Sequence, residues 1–201
     1  MNKTIAARFL PTENTLAPSV VLALAGSLLV AGAAQVTVPF WPVPMTLQGL
    51  AVLLVGGAYG ARLGAATLAL YALEGAIGLP FFAGGKSGIF DDKLDYLFPA
   101  SSMGYVLGFV MAAALVGYLA QSGWINSFLR MVMATLAGAA VLYVPGLIWL
   151  AIWAAKTQGL DVSMAVQKSL QWGLYPFIMG DAVKAIIAGL GLSAVWKSTA
   201  R

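Results

Sequence analysis

Long apolar runs alternate with short polar breaks along this chain. Residues 1–15 form a polar tail, and no charge then occurs between Glu13 and Arg62. That interval is too long for one bilayer crossing of roughly 20 residues. The run Val38-Pro39-Phe40-Trp41-Pro42-Val43-Pro44 divides it, because proline removes a backbone donor and disfavours helix at the residue before it. The pattern predicts span 1 over about 16–36, an external loop over 37–43, and span 2 over about 44–60 with Pro44 at the helix start. A tight turn at Arg62 opens span 3, about 62–79, which stops at Leu79-Pro80. A longer loop, 80–101, carries the charged cluster Asp91, Asp92, Lys93 and Asp95. Span 4 follows over about 102–120, capped by Ser101 or Ser102. Span 5, about 128–155, is expected to kink at Pro145-Gly146. A polar linker, 156–173, leads to span 6 over about 174–195. The expected architecture is all-α: one integral membrane domain over 1–201 with six transmembrane helices.

Composition supports that reading. Hydrophobic residues make up 61% and charged residues 9%, against about 45–50% and about 25% in soluble domains. Lys3 and Arg8 precede the first apolar run, but the run is too long for a signal peptide and is read as a retained span. With no Cys and no His, disulfides, thiolate chemistry, Ser–His catalysis and His-ligated metal sites are excluded. No metal and no cofactor is expected. The net charge of +4 is spread singly over segment ends, a membrane-topology pattern rather than a nucleic-acid patch. With the N-terminus inside, Lys3, Arg8, Arg62, Arg130, Lys197 and Arg201 lie inside and Lys86, Lys93, Lys156 and Lys168 outside. This bias favours both termini in the cytoplasm, consistent with an even number of spans.

Against this apolar background a few polar positions stand out. Asp181 and Lys184 lie within the last apolar run, three residues apart, on one helical face and close enough to pair. An ionisable group in hydrocarbon costs at least about 2.5–3.5 kcal/mol unless paired, snorkelled or facing a polar cavity. From the expected outer ends, Gln48 lies about 6 Å deep, Glu74 about 8 Å, Asp181 about 10 Å and Lys184 about 15 Å. A polar layer in the outer half reads as a ligand cavity open to the outside. Lys184 suits an anionic end, Asp181, Glu74 and Gln48 suit the N–H and C=O groups of a polar head, and Tyr105, Phe82 and Trp41 suit an apolar body. The packing alternatives are snorkelling for Glu74, a helix–helix hydrogen bond for Gln48, and interface anchoring for Tyr105, Phe81 and Phe82. On span 1, Ala23, Ser27 and Ala31 form a small-residue stripe, suited to a partner subunit or to packing within the bundle.

Four runs carry a family resemblance: Val43-Pro44-Met45-Thr46-Leu47-Gln48, Leu73-Glu74-Gly75-Ala76-Ile77-Gly78-Leu79-Pro80-Phe81-Phe82-Ala83-Gly84-Gly85, Gly104-Tyr105-Val106-Leu107-Gly108-Phe109, and Gly180-Asp181-Ala182-Val183-Lys184. In this order, over about 17–195, they resemble the BioY family, the biotin-binding S components of energy-coupling factor (ECF) transporters. The resemblance implies biotin as substrate, the six-helix S-component bundle, and transport with a transmembrane T component and two ATP-binding-cassette ATPases on separate chains. It places the chain in the cytoplasmic membrane, as a binding subunit and not an enzyme; there is no P-loop here. It likens the Ala23, Ser27, Ala31 stripe to the surface that docks on the T component, and makes loop 80–101 a lid. The implied substrate-binding set is Asp181, Lys184, Glu74, Gln48, Thr46, Tyr105, Phe82, Gly84 and Lys86. Asp181 would lie near the ureido ring, and Lys184 or a loop base near the valerate carboxylate. The chain departs from the family pattern at Phe98-Pro99-Ala100-Ser101-Ser102-Met103, where a Gly-Pro-Thr-like stretch is usual. The rival readings are an S component for another vitamin and a membrane scaffold subunit that binds no solute.

Overall fold

The computed structural model describes residues 4–6, 16–88 and 101–199. Helix α1 (Leu16–Gln35) leads into a hairpin of β1 (Thr37–Val38) and β2 (Met45–Thr46), paired antiparallel with Thr37 opposite Thr46. Helices α2 (Gln48–Tyr59) and α3 (Ala61–Ala76) follow, then a loop with a short 3₁₀ turn at Ala83–Gly85. The rest is α4 (Met103–Gln121), α5 (Phe128–Val141), α6 (Tyr143–Gln158), α7 (Val162–Gly173) and α8 (Ile178–Ser198). The acidic cluster at Asp91–Asp95 and the departure at Phe98–Ala100 lie outside the described residues.

Among the described residues, four stretches are long and apolar enough to cross a membrane: Leu16–Gln35, Met103–Gln121, Phe128–Gln158 and Ile178–Ser198. The expected spans 1 and 4 agree with α1 and α4 to within a residue at each end. Elsewhere the helix boundaries differ from the expected ones. Span 2 begins at Gln48, not Pro44, because Met45 and Thr46 are drawn into the hairpin. With 12 and 16 residues, α2 and α3 reach only about 18 and 24 Å. Span 5 breaks at Leu142, between α5 and α6. Pro145 has no N–H for the carbonyl of Val141 and its ring crowds that carbonyl, so the break falls before the proline. The 156–173 segment holds a helix, α7, whose start is capped by Asp161 Oδ1 accepting from Met164 N at 2.9 Å. Its residues Ala165, Ser169 and Gly173 are buried, four apart. If Phe128–Gln158 is counted once, the described residues hold seven helices.

Helix α4 is the centre of the bundle. It is packed by α2, α3, α5 and α6, and its Ala112, Ala113, Val116 and Ala120 are fully buried. In lipid there is little hydrophobic drive between helices, so close approach of small residues carries the packing. A Cβ on Gly56 of α2 would sit 2.7 Å from Ala113 Cα, and one on Gly117 would collide with the Gly60 backbone. Gly60 itself makes the α2–α3 turn at φ 84°, a conformation glycine adopts without strain.

The small-residue stripe of α1 is also placed by packing. Ser27 is 0% and Ala31 7% exposed, and Ala23 is half-buried. They turn toward the chain's own bundle, where neighbouring Gly26 lies so close to Thr67 that a Cβ would be 2.7 Å from its Cγ2. The stripe is therefore not a free docking face, which corrects that expectation. The outward face of α1 is instead Leu16, Val20, Val21, Leu24, Leu28 and Leu29.

Replacing Gly56 with Val is expected to destabilise the bundle by about 1–3 kcal/mol through overpacking. Gly32→Ala, where nothing lies within 4 Å, is expected to change little. Thermal unfolding of the two variants in one detergent checks the contrast.

Candidate functional site

One end of the bundle encloses a cavity of about 800 Å³, within the range of about 300–1,000 Å³ usual for small-molecule sites. The hairpin segment Trp41–Thr46, the start of α2, Tyr71 of α3, the loop around Phe82–Gly88, the start of α4, and residues of α6 and α8 all line it. Most of the wall is apolar or aromatic. Trp41 packs edge-on to Trp153 and Trp172, with ring centroids 6.3 and 5.3 Å apart.

The polar wall is built around Asp181, in the first turn of α8. Because α8 begins at Ile178 rather than near Leu174, the carboxylate sits about one turn inside the helix, shallower than expected. A negative charge there is favoured by the N-terminal end of the helix dipole. Lys184 Nζ donates to Asp181 Oδ1 at 2.8 Å. The side chains are 12% (Lys184) and 17% (Asp181) exposed. Lys184 also donates to the backbone carbonyl of Thr46 at 2.7 Å, tying α8 to the hairpin. Tyr143 Oη donates to Asp181 Oδ2 at 2.5 Å.

A second group of hydrogen bonds continues from the hairpin. Thr46 Oγ1 donates to Gln48 Oε1 at 3.1 Å, and Gln48 Nε2 donates to Tyr71 Oη at 2.6 Å. Tyr71 Oη then donates to the carbonyl of Phe81 at 3.1 Å. From α1, Gln35 Nε2 donates to the carbonyl of Phe82 at 3.3 Å. The base of the loop is thus held by side chains of two helices. Phe82 lies over Gly75, where a Cβ would collide with its ring, and packs edge-on to Tyr71 at 5.8 Å.

Of the residues singled out from sequence, Asp181, Lys184, Gln48, Thr46, Tyr105, Phe82 and Lys86 line the cavity together. Glu74 and Gly84 are not in its wall. Glu74 sits beside the inward stripe of α3, Leu68, Tyr71 and Gly75, rather than on it. Its Oε2 is buried and has no hydrogen-bond partner. Gly84, at φ 71°, makes the turn that lets Phe82 N bond Lys86 O at 2.9 Å. Gln48 is 6% exposed, and both ends of its amide are engaged within the chain. The hydroxyl of Tyr105 is likewise committed, donating to Gly173 O at 2.7 Å. A Cβ on Gly173 would collide with that hydroxyl, so glycine is needed there. Lys86 is exposed on the loop. Sequence reasoning missed Tyr71 and Tyr143. The signal was a phenol inside an apolar run, three residues before Glu74 and two before Pro145.

Comparison with known proteins places the chain in a family. A model of the BioY family matches residues 3–201. This chain belongs to the BioY family. The biotin transporter BioY of Rhizobium etli is 33% identical over 162 residues, covering 77% of this chain and 79% of that one. The biotin transporter BioY2 of Lactococcus lactis is 32% identical over 187 residues, covering 91% and 93%. The crystal structure of the S-component for biotin from an ECF-type ABC transporter superposes with a TM-score of 0.72 at 22% identity, covering 93% of this chain and 95% of that one. This BioY-family chain therefore has the S-component fold, and it is a multi-pass membrane protein and a transport subunit rather than an enzyme.

Tyr71→Phe removes the donor to Phe81 O and the acceptor of buried Gln48. Hydrogen exchange is expected to become faster at the amides of Phe82 and Gly85, which close the loop turn, and to stay unchanged in α5. Unfolding should fall by about 1–3 kcal/mol, the usual cost of an unsatisfied buried polar group.

Proposed function

We propose that this chain captures biotin and takes it up across the cytoplasmic membrane, as the substrate-binding subunit of an ECF-type transporter. Family membership and the S-component fold support the substrate and the role. The observation that carries the reading is the pair at the cavity wall: a carboxylate acceptor beside an ammonium donor, 2.8 Å apart. A cyclic urea presents N–H and C=O side by side, and the pair matches both. Asp181 accepts from the ureido N–H. Lys184 has three N–H groups and uses two on Asp181 and Thr46, so one is left for the ureido carbonyl.

Lys184 is already neutralised by Asp181, which makes it a poor site for an anion. The valerate carboxylate is better served by Lys86, which lines the cavity from the loop. Trp41, Phe82 and the ring of Tyr105 cover the apolar body. Thr46 and Gln48 act mainly by holding the wall in place, Gly84 by shaping the loop, and Glu74 from outside the wall. The loop that starts at Pro80 acts as the lid; its residues 89–100 lie outside the described residues.

The chain forms one membrane domain with six crossings: α1, α2, α3, α4, the α5–α6 stretch and α8. The loops flanking α2 and α3 complete those two short crossings. Both termini are cytoplasmic, following the Lys/Arg bias. The chain works in the bilayer with a transmembrane T component and two ABC-type ATPases on other chains, and it binds no nucleic acid.

Calorimetry on the purified, detergent-solubilised chain tests this. Biotin is expected to bind one-to-one, and Asp181→Asn to weaken it roughly 10- to 150-fold, the range for a hydrogen bond to a charged group. A folded sample that binds no biotin would end the reading. Lys86→Met is expected to weaken biotin but not biotinamide, which lacks the carboxylate. Equal losses for the two ligands would remove Lys86 from the anionic end.

A further inference from the structure

We infer that Tyr143 is a positioning residue for Asp181, setting the orientation in which the carboxylate meets its ligand. This rests on the proposed binding of a urea head at Asp181 and adds a residue that neither the sequence motifs nor the family resemblance singled out.

An aspartate carboxylate turns easily about its last torsion, whose energy profile is broad. Left to Lys184 alone, both oxygens could share the ammonium, and the acceptor would point away from the cavity. Here they have different donors. Lys184 Nζ holds Oδ1 at 2.8 Å and Tyr143 Oη holds Oδ2 at 2.5 Å. Two donors on opposite oxygens fix the carboxylate plane. They also confine Lys184 to one oxygen, which leaves its remaining N–H available. Each carboxylate oxygen keeps a second lone pair for a ligand N–H. An acceptor ordered before binding loses less freedom on binding, and that difference appears as affinity.

The phenol is itself held. Tyr143 is the first residue of α6, immediately after the break at Leu142. Gly108 of α4 lies against the Leu142 backbone, where a Cβ would be 2.5 Å from its carbonyl oxygen. The ring of Tyr143 meets that of Tyr105 edge-on at 6.0 Å. Tyr105 is locked in turn by its bond to Gly173 O and by Gly146, where a Cβ would be 2.6 Å from its ring. The break before Pro145, which looks like a defect in a long span, thus delivers a rigid O–H to the polar wall.

The test uses the full chain in detergent, with Tyr143→Phe, Asp181→Asn and the double variant. The ligands are biotin and desthiobiotin, which share the urea and differ in the sulfur ring. Tyr143→Phe is expected to weaken both ligands by the same factor, about tenfold, with the thermal midpoint little changed. In the Asp181→Asn background it should add less than twofold. Unequal losses would mean that Tyr143 touches the ligand's ring, and additive losses that it acts apart from Asp181; either overturns the inference. A readout without ligand runs beside it. The antisymmetric carboxylate stretch of Asp181, isolated in the infrared as the difference between wild type and Asp181→Asn, should shift on Tyr143→Phe. An unmoved band overturns the inference even if biotin does not bind, whereas failure of wild type to bind biotin with a shifted band overturns only the substrate reading.

Discussion

The contact on which the site depends is the Lys184–Asp181 ion pair at the start of α8. Either charge alone would be costly in an apolar bundle. Together, with further hydrogen bonds on each, they become a stable polar patch on an otherwise aromatic wall. Breaking such a pair by removing one partner costs more than the pair itself contributes, because the other charge is left stranded. The bond from Lys184 to Thr46 O makes the patch part of the fold, since it fastens α8 to the hairpin. From the hairpin, Thr46, Gln48 and Tyr71 carry hydrogen bonds on to the base of the loop at Phe81. Groups at the ligand wall and at the loop therefore share one connected set of bonds across five elements.

The remainder of the architecture is there to bring these groups within reach. Glycines let α2 and α4 approach until backbones touch, at Gly56 and Ala113 and again at Gly117 and Gly60. The same device sets α4 against α6, where Gly104 lies on Pro145 and Trp149. This packing brings Gln48, Tyr71, Tyr105 and Tyr143 to one end. A helix pair held apart by larger side chains would not place the phenol of Tyr143 on a carboxylate of α8.

Much of this was legible in the chain itself. The long apolar runs gave α1 and α4 closely because hydropathy reports burial in lipid directly. The charges at 181 and 184 announced themselves by their cost. What escaped was set by contacts remote in sequence. The start of α2 moved to Gln48 because Met45 and Thr46 pair with Thr37 and Val38, an event hydropathy does not record. Helix α7 was hidden by its polar face, although Asp161 was a readable cap. Glu74 looked equivalent to Gln48 in depth, yet helical phase puts it beside the inward stripe of α3 rather than in the cavity wall. The stripe at Ala23, Ser27 and Ala31 carried no sign of whether it faced a partner or its own bundle; burial of Ser27 and Ala31 decides for the bundle. The phenols of Tyr71 and Tyr143 were overlooked because tyrosine in an apolar run reads as packing until its oxygen is given a partner.

The central claim is that the Asp181–Lys184 pair receives the polar head of the ligand and the loop receives its anionic tail. A structure of the chain determined with biotin bound tests this most directly. The account predicts a ureido nitrogen within hydrogen-bond distance of an Asp181 oxygen, the ureido carbonyl on Lys184 Nζ, and the valerate turned toward Lys86. A ligand in the reverse orientation, with its carboxylate on Lys184, would contradict it.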